Sequence, residues 1–447
     1  MRRLLWQLLT GLLLAGPAFG SGFGVFTQGA SGLGQANAVV AHPTGPSSLY
    51  FNPALLNDVP GRQVEIGTTG IYDDRKIRLD SGGSEEGKGG WEFPSSLYYT
   101  HQVNDGITAG IGVFFPFGLS TQWDDNYEGR YLGTYGDVLT MNINPAVSWR
   151  VTDKLSLAVG VDLLYLDATL KKKINQDAAY ALTDLELQFL SGGMLSLPTP
   201  SGTLGDISQS FEGDGWGVGY NLGALYKVTD QFSIGAAYRS HIDVEVDGDA
   251  TFRGVDPVLA SFNLFPNTGG TANIRLPAQA TAAVAVKATD NLTVEVGVRW
   301  EDWDSTRKLE VRLDQPVFNS SSDITQRNWK STWSYNIGGQ YRLNDTVALN
   351  AGYLYGQNAV PDATFEPLIP DSDAHLFTLG TDLLFGPWTV SAAFGYERHE
   401  NRRKANSIAD PAGAALASLG VPATVATANG VYETDIYLVG LSLGYRF

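Results

Sequence analysis

Side chains able to do catalytic work are few in this chain and poorly spaced for it. Its 447 residues include no cysteine and five histidines, at positions 42, 101, 241, 375 and 399, with no HxxxH-type spacing. Without cysteine there is no disulfide framework and no thiolate metal site, and the scattered histidines give no support for an imidazole centre. No metal or cofactor is assigned. Acyl transfer needs a serine or equivalent nucleophile within reach of a histidine base. His241 and His399 lie near expected loop ends, but no Gly-x-Ser-x-Gly context accompanies them. An enzyme is therefore not expected, with a lipid hydrolase of the outer membrane kept as the alternative. The remaining chemistry lies in charged side chains on the small-residue faces of alternating segments: Glu295, Arg299 and Glu301 in Leu292 to Trp303, and Arg150, Arg239 and Arg342. A cation facing a narrow interior is paired with an acid or holds an anionic ligand. Arg150, Arg239, Arg299 and Arg342 are accordingly candidate carboxylate partners.

The elements that must position them are strands. From Leu155 to Tyr165 every second residue is apolar or aromatic, with Ser156, Ala158, Gly160 and Asp162 between. The same period of two runs through Ile107 to Phe115, Leu292 to Trp300, Trp333 to Tyr341 and Tyr437 to Phe447. Short turns recur at Asn104-Asp105, Thr152-Asp153, Thr229-Asp230, Thr289-Asp290, Asn344-Asp345 and Phe385-Gly386-Pro387. Polar stretches at about 74–90, 121–137, 168–212, 247–271, 304–328, 359–371 and 401–431 alternate with these turns. Six turns and seven loops connect fourteen strands, with all short connections on one side. The expectation is all-β: a 14-stranded antiparallel transmembrane barrel with periplasmic turns and extracellular loops. A soluble sandwich would place the larger apolar face inside and would not sort its connections by length. Aromatics near strand ends, among them Tyr99, Trp149, Tyr226, Trp300, Tyr341 and Trp388, suit the two interfacial girdles.

Composition agrees with export rather than with a cytosolic enzyme: 17% charged residues, 52 glycines and a net charge of −17. The acidic balance, with no basic stripe, argues against nucleic acid. Arg2 and Arg3, the apolar run Leu4 to Ala15 and Ala18-Phe19-Gly20 read as a signal peptide over residues 1–20. That run falls short of the ~20 residues a spanning helix needs. Residues 21–57 contain no Lys, Arg, Asp or Glu and show no strand rhythm. With Pro53 interrupting "SSLYFNPALL", residues 21–60 are expected to fill the lumen as a plug, and 61–447 to form the wall. A periplasmic linker is the alternative for this stretch.

Three segments carry a resemblance. "SGLGQANA" followed by "SSLYFNPALL" resembles the N-terminal hatch of the FadL family of outer-membrane long-chain fatty-acid transporters, in which an Asn-Pro-Ala element marks the hatch; here it is Asn52, Pro53 and Ala54. "FFPFGLSTQWDDNYEGRY" resembles that family's third strand and following loop, and the stretch from Tyr335 to Gly380 resembles its later barrel region. Two departures stand out. His42-Pro43-Thr44-Gly45 replaces an acidic residue common before the hatch element, and Ala374 stands where a basic residue is common. The second weakens a grip on a fatty carboxylate and leaves room for aromatic or other uncharged hydrocarbons.

The resemblance implies passive uptake of a hydrophobic molecule, fatty acid or hydrocarbon, through an outer membrane of lipid and lipopolysaccharide, by a chain expected to act as a monomer. Ligand would be caught among extracellular loops, where Leu185, Leu187, Phe189, Leu190, Phe262, Leu264 and Phe265 are the apolar candidates. It would pass to an inner site, assigned to Phe23, Phe26, Leu49, Tyr50 and Phe51, and leave sideways through the wall. For the exit the third strand offers Phe115, Pro116, Phe117 and Gly118, where proline cannot donate to its neighbour and glycine tolerates a bend. Asn52 to Ala54 is expected to gate that break.

Overall fold

The structure, a computed structural model, describes residues 22–423 and 425–447; the expected signal peptide lies outside them. Fourteen antiparallel strands close into a barrel. They are β1 (Arg62–Leu79), β2 (Ser95–Asn104), β3 (Ile107–Phe114 and Gly118–Gln122), β4 (Tyr135–Arg150) and β5 (Leu155–Ile174). Next come β6 (Ile207–Lys227), β7 (Phe232–Arg239 and Ile242–Arg253) and β8 (Thr268–Leu276 and Gln279–Lys287). β9 (Leu292–Glu301 and Lys308–Val317) and β10 (Ser320–Gln326 and Thr332–Arg342) are likewise in two pieces. β11 (Val347–Gly356), β12 (Ala374–Phe385), β13 (Trp388–His399) and β14 (Gly430–Arg446) complete the wall. Closure is the pairing of β1 with β14, unbroken from Gln63↔Arg446 to Leu79↔Gly430. All six expected tight turns connect the strands predicted to flank them.

The expected loops are shorter than drawn, for a reason visible in β5. Below Leu163 its large residues, Leu157, Val159 and Val161, face outward and exposed, while Ser156 and Asp162 are buried inside. Above that point the faces exchange character. Leu164, Leu166 and Ala168 are buried inside, and the exposed side carries Lys171. Charged residues from 168 onward suggested a loop, but the strand continues to Ile174, leaving the bilayer as a barrel with a wet exterior and an apolar interior. The stretch 304–328 is corrected in the same way. It is mostly a hairpin of the upper parts of β9 and β10, turning at Phe318-Asn319 with both residues at positive φ.

Residues 22–59 lie inside. Short helices α1 (Ala30–Gly34) and α2 (Ser48–Phe51) and a 3-10 turn (Pro53–Asp58) alternate with irregular backbone that is almost wholly buried. The small polar lumen residues hold that backbone. Glu295 accepts from the Val40 and Ala41 N–H groups at 2.6 and 2.9 Å, and Ser442 Oγ from Ala30 N–H at 3.0 Å. Asn336 donates to Ala36 O at 3.0 Å. Wall glycines let backbone approach backbone: a Cβ on Gly235 would sit 2.1 Å from Val40 O, and one on Gly338 2.1 Å from Gln35 O. Two helices cover the extracellular side, α3 (Gln176–Leu190) and α5 (Pro411–Ser418), with a one-turn helix α4 (Pro257–Ser261) between them in the chain.

Candidate functional site

Three cavities form a line from the loops into the lumen. The outermost, about 380 Å³, lies between α3, α5 and the β9–β10 hairpin tip, and is lined by Ala179, Leu182, Phe252, Phe265, Val317 and Phe318 among others. A narrow passage of about 70 Å³ follows, walled by Leu170, Phe211, Leu309, Val311 and Leu368. It shares Lys172, Gln209, Leu313 and Asp323 with the outer cavity, and Leu170, Leu309 and Arg327 with the inner one. The inner chamber, about 420 Å³, is floored by Phe23 and lined by Leu119, Val138, Ala168, Ile274, Leu309, Trp329 and Ile369. Its size, and an apolar inner wall with polar and charged residues confined to one side, are those of a small-molecule site. The apolar lining follows from the exchange of faces in β5 and its neighbours above the bilayer.

Phe23 belongs to an aromatic cluster, 4.9 Å from Trp303, 6.0 Å from Trp329 and 6.0 Å from Phe117 between ring centroids. Trp303 and Trp329 are buried, and their indole N–H groups find no acceptor among the described residues. The start of the N-terminal segment is pinned by Asp371, in the β11–β12 loop, whose carboxylate accepts from Gly22 and Ala359 N–H at 3.0 and 2.8 Å. Burial pushes that carboxyl up to about 6, against the pull of those two N–H groups and of nearby His399 and Arg402.

The third strand breaks where expected, between Phe114 and Gly118. Different residues from those predicted fill the break. Val25 N–H donates to Pro116 O at 2.8 Å, Gly118 N–H donates to Phe23 O at 2.9 Å, and Gly24 bridges Phe117. Gln28 donates to Phe115 O at 2.7 Å. Thr140 Oγ1, on β4, accepts from Phe117 N–H and donates to Phe117 O. Asn52 is elsewhere, which corrects the predicted contact. Its amide donates to Val40 O at 2.8 Å and to Ala224 O of β6 at 3.0 Å, and its Oδ1 caps Ala54 N–H. A buried amide takes the partners that satisfy both its ends. Here these tie Pro53 and Ala54 to the β6 wall, where Gly223 leaves the space.

The five residues assigned to one inner site separate. Only Phe23 lines the chamber. Phe26 packs with Leu33, Ile71 and Leu376, and Leu49, Tyr50 and Phe51 with Tyr98 and Phe114. Likewise none of the four arginines lines a cavity. Arg150 donates to Asn57 O at 2.7 Å, Arg239 pairs with buried Asp162 beneath Tyr50, and Arg299 lies 4.2 Å over the Phe26 ring. Arg342 is exposed at the turn end of β10. Alternation fixes which face a side chain takes but not its height in the barrel, so Arg150, Arg239 and Arg299 meet the plug rather than the cavities and Arg342 meets neither. Among loop residues, Phe265 lines the outer cavity, Leu187 and Leu264 pack beneath it, Leu185 is half-buried, and Phe189, Leu190 and Phe262 are exposed. Sequence reasoning missed Trp303, Trp329 and Gln28; the two tryptophans flank the stretch 304–328 read as loop.

The hydrolase alternative meets one suggestive constellation. His399 lies 3.3 Å from Ser372 Oγ and 2.9 Å from Glu397. All three are buried, and the void beside them, about 10 Å³, has no room for an acyl substrate. The arrangement reads as a satisfied polar network under the β11–β12 loop.

Comparison with known proteins agrees with this architecture. The chain is 27% identical to outer membrane protein P1 of Haemophilus influenzae over 472 residues, covering 98% of this chain and 97% of that protein. It is 24% identical to the long-chain fatty acid transport protein of Escherichia coli strain CFT073, covering 83% and 85% respectively. Among solved structures, a FadL homologue of Pseudomonas aeruginosa superposes with a TM-score of 0.82 at 21% identity, covering 96% of this chain and all of that one. The family model described as outer membrane protein transport protein (OMPP1/FadL/TodX) matches residues 11–447, and the chain belongs to that outer-membrane family.

Proposed function

We propose that this protein takes up long-chain fatty acids passively across the outer membrane. Ligand is captured in the loop cavity, descends to the chamber above Phe23, and leaves sideways at the β3 break. The observation that carries this reading is the continuity of the three cavities, two largely apolar chambers joined through a passage that also carries Lys172, Asp323, Arg327 and Glu366, down to a floor residue, Phe23, whose own backbone fills that break. Displacing Phe23 to Val25 would both lower the floor and open the wall. Each methylene moved from water into the chamber gains about 0.8 kcal/mol, so chain length drives binding without a dense polar site. Residues 21–60 act as the hatch and residues 61–447 as the wall.

The aromatic cluster of Phe23, Trp303 and Trp329 supports a second ligand class, uncharged aromatic hydrocarbons. Competition between oleate and toluene for quenching of tryptophan fluorescence ranks the two. Replacing Pro116 and Gly118 by Val restores a continuous strand. Purified double mutant is expected to bind oleate as the parent does, while cells depending on it lose uptake. A folded double mutant that transports normally overturns the lateral exit.

A further inference from the structure

The wall has a second interruption, between β8 and β9. Their pairing holds from Lys287↔Thr293 up to Gln279↔Glu301 and resumes only at Ala272↔Val311. Between these ladders, after one bond from Asp302 N–H to Ala278 O, five residues of β8 (273–277) face eight of β9 (303–310). Among the described residues one side-chain bond spans the opening, from Thr306 Oγ1 to Arg275 O at 3.4 Å. The chamber reaches through it. Its lining includes Asp243, Asn273, Arg275, Arg307 and Lys308, all exposed on the outer surface, as well as Phe23, Leu119 and Val138 of the lumen. The rim is thus apolar inside, at Ile274 and Leu309, and charged outside.

The height of this opening follows from what lies below it. Trp300 of β9 pairs with Trp333 of β10, and Tyr238 of β7 lies 6.0 Å from Tyr220. Outward aromatics of this kind mark the membrane–water interface, so the opening sits just above it, among the headgroups of the outer leaflet. At that level unpaired backbone is satisfied by water or headgroups, which hydrocarbon would not allow. Among the described residues Arg307 keeps one loose acidic partner, Asp304 at 3.7 Å, and Lys308 shares Glu310 with Arg312.

We infer that the β8–β9 opening is a lateral inlet by which single-chain anionic amphiphiles already dissolved in the outer leaflet reach the chamber, tail first, with the carboxylate left at Arg307 and Lys308. This rests on the uptake reading above and adds a second route beside the loops. An alkyl chain in the outer leaflet would then reach the chamber without returning to water.

The chain has no cysteine, so Arg275→Cys with Thr306→Cys permits a staple across the folded opening with a short, reductively cleavable bis-maleimide. The probe is a long-chain fatty acid with a photoreactive tail, given to the protein in lipopolysaccharide-containing vesicles either pre-inserted in the outer monolayer or added from solution. Labelling of the peptides holding Phe23 and Trp329 is followed by mass spectrometry. The expected result is that stapling abolishes the initial rate of labelling from the monolayer and spares that from solution, and that cleaving the staple restores the first. Both rates unchanged overturns the inlet while leaving uptake through the loops standing, and both lost together overturns it as a route separate from the loops. No chamber labelling by either route in the unstapled protein overturns both readings.

Discussion

The two interruptions of the wall are the same kind of defect resolved in opposite ways. At β3 the ladder to β2 ends at Leu97↔Val113, and the exposed residues beside it are Trp91 and Phe93, a surface suited to hydrocarbon. There the protein supplies the missing partners, from inside through Phe23, Val25 and Gln28 and from the neighbouring strand through Thr140. At β8–β9 the exposed rim is Asp243, Asn273, Arg275, Arg307 and Lys308, and among the described residues a single threonine side-chain bond spans it. The difference teaches that the surroundings dictate the seal. A gap facing lipid must be filled by protein, and one facing headgroups can stay open.

The largest effect that would test this contrast comes from unseating the plug. Gly235→Leu combined with Gly338→Leu forces side chains into the backbone of Val40 and Gln35, and because two close-packed contacts are lost at once the segment cannot remain seated. Single-channel conductance in planar bilayers is expected to rise by at least ~tenfold, on the scale of an emptied barrel lumen. Unchanged conductance would mean the segment does not occlude the lumen. A smaller effect is expected from Thr140→Val, which strips both the acceptor for Phe117 N–H and the donor to Phe117 O. The loss is about 1–3 kcal/mol of local stability, read as faster amide exchange at Phe117 and Gly118 with exchange at Arg275 and Leu276 unaltered. Equal acceleration at both sites would dissolve the distinction between the two gaps.

The smallest effect is one of pH. The Asp371 carboxyl, raised to about 6 by burial, contributes stability that is fully present below its unfolded value of 3.8 and is lost as pH rises through about 6. Unfolding in denaturant should therefore show stability falling across that window, and Asp371→Asn should remove that component of the slope. A slope that survives the substitution assigns it to another group. Since Asp371 holds Gly22, at the head of the β3 seal, the same titration should leave the β8–β9 opening untouched.

Much of this was legible in the residues. The period of two, the six short turns and the uncharged stretch 21–57 were enough for strand number, antiparallel connection and a buried N-terminal segment, because each depends on local patterning. Pro116 and Gly118 marked the β3 break for the same reason. What the sequence hid was height. Residues such as Lys171 and Asp323 look like loop when read against a membrane strand, yet they belong to strands that continue above the bilayer with exchanged faces. The chamber is built from that upper region, so Trp303, Trp329 and Leu309 went unnoticed. Partner identity was hidden too. Asn52 was matched to the break by resemblance, whereas its hydrogen-bonding needs are met 172 residues along the chain at Ala224, a pairing no local pattern encodes.

The central claim is that ligand descends to the chamber floored by Phe23, beside the filled break in β3. Its most direct test is a crystal structure of the protein soaked with a long-chain fatty acid brominated near its methyl end. The account predicts anomalous bromine density beside Phe23 and Trp329, with the alkyl chain running up past Leu309. Bromine seated among Leu49, Tyr50 and Phe51, or only on the outer surface of the barrel with the chamber bare, would contradict it.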